Sequence, residues 1–110
     1  MKVDKPWGYE IRWAINDKYL GKILHIDAGK RLSLQYHEQK DETIYVMEGT
    51  AVIFLNDRKI VLSHGEALRI QPGQVHRFCA PDNCYVKLIE VSTPEIDDVV
   101  RVEDDFGRST

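Results

Sequence analysis

Nine short apolar runs, most of them closed by turn-forming residues, leave this chain little room for a long helix. The runs are Tyr9 to Ile15, Tyr19 to Ile26, Arg31 to His37, Glu42 to Met47, Ala51 to Leu55, Lys59 to Leu62, Ala67 to Ile70, His76 to Cys79 and Tyr85 to Val91. Asn16-Asp17, Ala28-Gly29, Glu48-Gly49, Asn56-Asp57, His64-Gly65, Pro72-Gly73 and Pro81-Asp82-Asn83 separate them. Gly supplies positive φ, and Asn and Asp bond their own backbone, so each break reads as a turn. Many short strands at near-regular spacing predict an all-β sandwich, barrel or jelly roll. With 110 residues, the expectation is one compact domain over 1–110.

One of these runs and the starts of two others carry a spaced set of metal-ligand residues, Gln35-x-His37-x4-Glu42 and, later, His76. Gln35 and His37 are two apart, so on a strand they share a face. One amide oxygen, two imidazoles and one carboxylate suit a divalent ion of zinc, manganese, iron, nickel or cobalt type. Such an ion would keep room for a water or a substrate oxygen.

Charge narrows the partners. The net charge is −3, which argues against a nucleic-acid binder, because phosphate backbones demand a basic face. No apolar run is long enough to span a membrane, and the start, Met1 to Pro6, lacks a signal-peptide pattern. The expected location is the cytoplasm. Cys79 and Cys84 bracket a turn and could meet across a hairpin, but two reduced thiols are expected in that compartment.

The spacing Gly29-x5-Gln35-x-His37-x4-Glu42-x6-Gly49 resembles the first cupin motif, with Gln35 in the place of its first histidine. The stretch from Gly65 through Pro72-Gly73 to His76 resembles the second. The resemblance implies a double-stranded β-helix, a jelly-roll barrel with a metal inside one end. It extends over nearly the whole chain. Lys5-Pro6-Trp7-Gly8-Tyr9-Glu10, Gly29 to His37, Val75-His76-Arg77 and Asp97 to Arg108 are similar to the cupin domain of type II phosphomannose isomerases. Around Glu42 the chain departs from that family, with Gln39, Lys40, Thr43 and Ile44 where it has His, Arg, His and Trp. A lysine keeps the charge of the arginine but not its planar fork.

The resemblance implies aldose–ketose isomerisation of a sugar phosphate, mannose 6-phosphate first, through a metal-stabilised enediolate. Gln35, His37, Glu42 and His76 would hold the metal, and Lys40 is the leading residue for the base. Lys22, Arg31, Arg77 and Lys87 are the cations that could meet a phosphate. Guanylyl transfer, the work of a domain that often precedes this one in the family, is not expected of a chain this short. A non-catalytic cupin that binds a sugar or related metabolite is the alternative. A metal-dependent oxygenase is a third reading, weakened by Gln35, because iron–oxygen chemistry favours imidazole-rich sites.

On the strand from Arg31 to His37, alternation puts Leu32, Leu34 and Tyr36 opposite the ligand face. An apolar face there needs a cover, from the Trp7 and Trp13 region or from a second copy. A homodimer is expected, with residues 1–20 as strands near its interface. His25 and His64 read as surface residues, Trp7 and Trp13 as core or interface, and Tyr36 and Tyr45 as packing residues. Residues 95–110 form an acidic tail that could dock in part through Val99, Val100 and Phe106.

Overall fold

The computed structural model describes residues 1–107. These form eleven strands and no helix. In chain order they are β1 Lys2–Lys5, β2 Gly8–Ile15, β3 Leu20–Ile26, β4 Leu34–Tyr36, β5 Glu42–Glu48, β6 Ala51–Leu55, β7 Arg58–Leu62, β8 Ala67–Ile70, β9 His76–Cys79, β10 Val86–Ser92 and β11 Val100–Glu103. Two antiparallel sheets face each other. One has six strands in the order β1-β2-β3-β10-β5-β8, the other five in the order β11-β4-β9-β6-β7. This is the expected all-β double-sheet barrel.

Alternation builds the interior. On β3 the inward residues are Leu20, Lys22, Leu24 and Ile26; on β10 they are Val86, Leu88, Glu90 and Ser92. Facing them, Ala51, Ile53 and Leu55 of β6 and Phe78 of β9 complete the core. Trp7, in the turn between β1 and β2, is part of the same cluster. That turn requires glycine at position 8, where φ is +150° and a Cβ would lie 1.9 Å from the His25 carbonyl oxygen.

Two expectations need correction, and one is met. The run from Arg31 to His37 is a strand only over Leu34–Tyr36. Leu32 packs against the core, while Leu34 and Tyr36 are half-buried on a strand flanked by β9 and β11. Leu32 is thus covered from within the chain, while Leu34 and Tyr36 keep part of their surface open. The acidic tail docks in part, as expected: Val100–Glu103 pairs with β4, Phe106 packs against the core, and Asp105 forms a two-pronged ion pair with Arg31. Residues 108–110, its end, lie outside the described residues. His25 is not a simple surface residue but is stacked between Tyr9 and Tyr85, with ring centroids 4.7 and 4.8 Å away.

Trp13 sits at a bulge in β2 and lies over Gly21, where any Cβ would clash with its indole. Its side chain nevertheless remains half exposed. Cys79 is buried, Cys84 is exposed, and both are free thiols. No helix among the described residues is long and apolar enough to cross a membrane.

Candidate metal centre

Three elements converge at one end of the barrel. His37 follows β4, Glu42 opens β5 and His76 opens β9. One ligand atom from each lies within 4.8 Å of the others, and all three residues are buried. His76 Nε2 stands 3.4 Å and His37 Nε2 3.7 Å from the Glu42 carboxylate.

Hydrogen bonds outside the cluster fix both rings. His37 Nδ1 donates to the Asp98 carbonyl at 2.5 Å, and His76 Nδ1 donates to the Gln74 carbonyl at 2.8 Å. A carbonyl can only accept, so both Nε2 atoms are left to face Glu42. Backbone partners of this kind hold metal-binding histidines in position. His37 Nε2, His76 Nε2 and Glu42 Oε1 are buried with no hydrogen-bond partner. Buried polar atoms are rarely left this way without a function. Two nitrogen donors and a carboxylate turned on one point fit a divalent ion of zinc type.

Gln35 stands beside this cluster. It pairs in register with His76 across β4 and β9, and it lines the same cavity. Its Oε1 accepts a hydrogen bond from Ser33 at 2.7 Å.

The cavity above the cluster has a volume of about 280 Å³. Besides Asp97, Asp98 and Arg101, its walls carry two groups of charged side chains in mutual contact. In the first, Lys40 Nζ lies 3.1 Å from Glu42 and 2.9 Å from Glu90. Burial opposes the charge on Lys40, but Glu90 and Glu42 outweigh it and hold the ammonium well above its ordinary range. Burial would likewise raise Glu42, but His37, His76 and Lys40 keep it well below the usual carboxylate range. Glu90 is shifted the other way, raised by burial and then by the Glu42 charge. In the second group, Glu10 meets Lys5, Arg12 and Lys22.

The loop between His37 and Glu42 is held by a residue far off in sequence. The Asp98 carboxylate accepts from the backbone amides of Glu38, Gln39 and Lys40 at 3.0, 2.7 and 2.9 Å. Residues 96–99 also line the cavity, so the acidic tail forms part of its wall.

This arrangement has relatives. Residues 1–104 match the family described as mannose-6-phosphate isomerase C-terminal. The chain belongs to that family. It is 32% identical over 111 residues to the xanthan biosynthesis protein XanB of Xanthomonas campestris pv. campestris, covering 98% of this chain and 24% of that protein. It is 34% identical over 110 residues to the mannose-1-phosphate guanylyltransferase ManC of Salmonella typhimurium, covering 97% of this chain and 23% of that one. The chain thus spans about a quarter of the length of these curated relatives. Among solved structures it resembles KdgF from Halomonas sp., with a TM-score of 0.80, 22% identity and 88% of each chain covered. It also resembles a cupin-superfamily sugar phosphate isomerase from Silicibacter pomeroyi, with a TM-score of 0.70 and 20% identity, over 77% of this chain and 58% of that one. The fold is therefore the cupin double-stranded β-helix.

Within this mannose-6-phosphate isomerase C-terminal domain, the cations expected to meet substrate fall in different places. Lys22 lines the cavity. Arg77 turns to the opposite side of β9, where its guanidinium donates to the Leu32 and Glu103 carbonyls. With Arg31 it borders a separate shallow hollow beside Leu34 and Phe54. Lys87 stands on the outer surface, 3.9 Å from Glu48. Sequence reasoning passed over Lys5, Glu10, Arg12 and Glu90, which do line the cavity. Strand parity could have found two of them. Glu90 is two residues from Leu88, and Arg12 is two from Glu10.

Proposed function

We propose that this domain is a metal-dependent sugar-phosphate isomerase of the mannose-6-phosphate type. The observation that carries the proposal is the convergence of His37 Nε2, His76 Nε2 and Glu42 on one point, with His37 and Glu42 also lining the cavity. These three residues, with Gln35 as the fourth, would hold one divalent ion, zinc first. Such an ion would polarise the carbonyl and hydroxyl oxygens of a bound sugar.

Aldose–ketose exchange takes a proton from one carbon and returns it to the neighbouring carbon. The group that moves the proton must reach the cavity and must alternate between its charged and neutral forms. Lys40 suits that task poorly as a free base, because two carboxylates hold it charged. Its ammonium serves instead to stabilise negative charge that develops on the substrate. Glu90 lines the cavity and has its carboxyl raised by burial, the property of a carboxylate tuned for proton transfer. In this reading Glu90 moves the proton, and Lys40 orients it and supplies charge.

A coupled assay of zinc-loaded protein with mannose 6-phosphate and fructose 6-phosphate tests the proposal. His76→Ala should lose both metal and turnover. Glu90→Gln should keep the metal and lose turnover. No turnover from protein with stoichiometric metal would reject the isomerase. It would favour the second reading, a cupin that binds its sugar without converting it. The specific observation behind that reading is the closed Glu42–Lys40–Glu90 triad, in which each charge already has a partner.

A further inference from the structure

The loop between His37 and Glu42, residues 38–41, belongs to no strand. Its backbone amides need partners outside the sheet ladders, and all four find them in one distant segment. The amides of Glu38, Gln39 and Lys40 donate to the Asp98 carboxylate at 3.0, 2.7 and 2.9 Å. The amide of Asp41 donates to Thr93 Oγ1 at 3.0 Å, and the Thr93 amide returns a bond of 3.0 Å to the Asp41 carbonyl. Residues 93–98 thus form a strap along the whole loop that joins two of the three converging side chains.

The strap also reaches one of those side chains directly. The Asp98 carbonyl accepts from His37 Nδ1. One residue therefore fixes the loop through its carboxylate and turns the His37 ring through its backbone. The same loop carries Lys40, whose Nζ stands between Glu42 and Glu90. Just beyond the strap, β11 pairs with β4 and sets Arg101 opposite Gln35. His76 is held differently. Its Nδ1 donates to the Gln74 carbonyl, two residues away on its own turn, so its orientation does not depend on the strap.

Without the strap, the four amides would turn to water and the His37 ring would be free to rotate. Ordering them again costs conformational entropy. A docked strap has already met that cost before an ion arrives. When two events favour each other in this way, the coupling has the same size in both directions.

We infer that Asp98 is a positioning residue for the metal centre, and that docking of the 93–98 strap is coupled to binding of a divalent ion at His37, Glu42 and His76. The inference rests on the reading of those three residues as ligands. Residues 96–99 line the cavity, so the same coupling secures the wall against which a substrate is held.

The test is zinc affinity, measured by competition with a chromophoric chelator on the wild-type chain and on three variants. Asp98→Ala removes all three carboxylate bonds and should weaken zinc about 10- to 100-fold, the usual cost of losing a partner that orients a ligand. Asp98→Asn keeps one acceptor oxygen and should fall between that variant and the wild type. Asp105→Ala is the control. It removes the ion pair with Arg31 elsewhere on the tail and should leave zinc affinity unchanged. Hydrogen exchange gives a readout that lost stability alone would not move. Zinc should slow exchange at the amides of residues 38–41 and of Val100–Glu103 in the wild type, and by less in Asp98→Ala.

Wild-type zinc affinity in folded Asp98→Ala overturns the inference. If that variant does not fold, Asp98→Asn carries the test, and wild-type affinity there overturns it equally. An Asp105→Ala protein that loses as much affinity as Asp98→Ala also overturns it, because any loosening of the tail would then do the same. Failure of the metal reading looks different: the wild type itself binds no zinc, and the coupling falls with it.

Discussion

The two halves of the barrel interior come from the same strands and are held together in different ways. At the closed end, Leu24 of β3, Leu88 of β10 and Val46 of β5 stand in one register row. One step inward along those strands, about 6.6 Å, Lys22 replaces Leu24 and Glu90 replaces Leu88 as the inward residue. The apolar half needs only shape, because any close-packed neighbour satisfies a leucine. The ionised half needs named partners: Glu10 for Lys22, and Glu42 and Glu90 for Lys40. The fold thus keeps its tolerance for substitution at one end and places its specificity at the other.

The largest expected effect breaks the ionised half. In Lys40→Met, Glu42 and Glu90 lose the cation between them. Removing one member of a buried ion group costs about 3–5 kcal/mol. Urea unfolding in the presence of a chelator should show that loss, and the double variant Lys40→Met/Glu90→Gln should recover most of it. A Lys40→Met protein as stable as wild type would show that the ionised half is held by packing alone, like its neighbour.

A smaller effect with a cleaner signature tests the apolar half. Leu88 is fully buried. Leu88→Ala should lower stability by about 2–5 kcal/mol through lost transfer energy and a cavity. Zinc bound per folded molecule should stay at the wild-type value. If zinc binding falls along with stability, the two halves are coupled and the comparison is too sharp.

The sequence made one half more readable than the other. The apolar runs showed the strands, because alternation survives in any sheet with one face buried. The ligand spacing showed His37, Glu42 and His76, because a motif fixed to strand starts carries its geometry with it. The strand β11 was missed, and β1 was expected only within the strand-bearing segment 1–20, with no run of its own. Lys2-Val3-Asp4-Lys5 has too little apolar character to read as a strand, and charges of this kind protect a sheet edge. Asp98 was read as part of a tail because its hydrogen bonds reach back to residues 38–40, a closure that no local pattern records. The misplaced cations teach more. Lys87 is one residue from inward Leu88, and Arg77 is one residue from inward His76, so period-two alternation already turns both away from the cavity. Lys22, two residues from Leu20 and Leu24, has the parity that points in.

The smallest expected effect lies outside the barrel. Arg69 and Asp41 form a two-pronged ion pair with bonds of 3.1 and 2.5 Å, a closer geometry than any around Glu10 except Arg12. The Arg69 side chain is nevertheless 60% exposed. Its hydrogen bonds lower the Asp41 carboxyl below its ordinary value, as the cation cluster lowers Glu10 against the opposing effect of burial. The sign is the same for both. A depressed carboxyl adds stability above the ordinary carboxylate range, and that stability is lost as pH falls through the folded value. Solvent screens the exposed pair far more than the buried one. Arg69→Ala should therefore leave Tm at neutral pH and the midpoint of acid unfolding unchanged. Glu10→Gln should reduce stability at neutral pH and flatten its decline toward acid. An acid midpoint that moved with Arg69→Ala and not with Glu10→Gln would place the pH sensitivity on the surface, and the ionised half of the cavity would lose its claim to be the part of the fold that depends on charge.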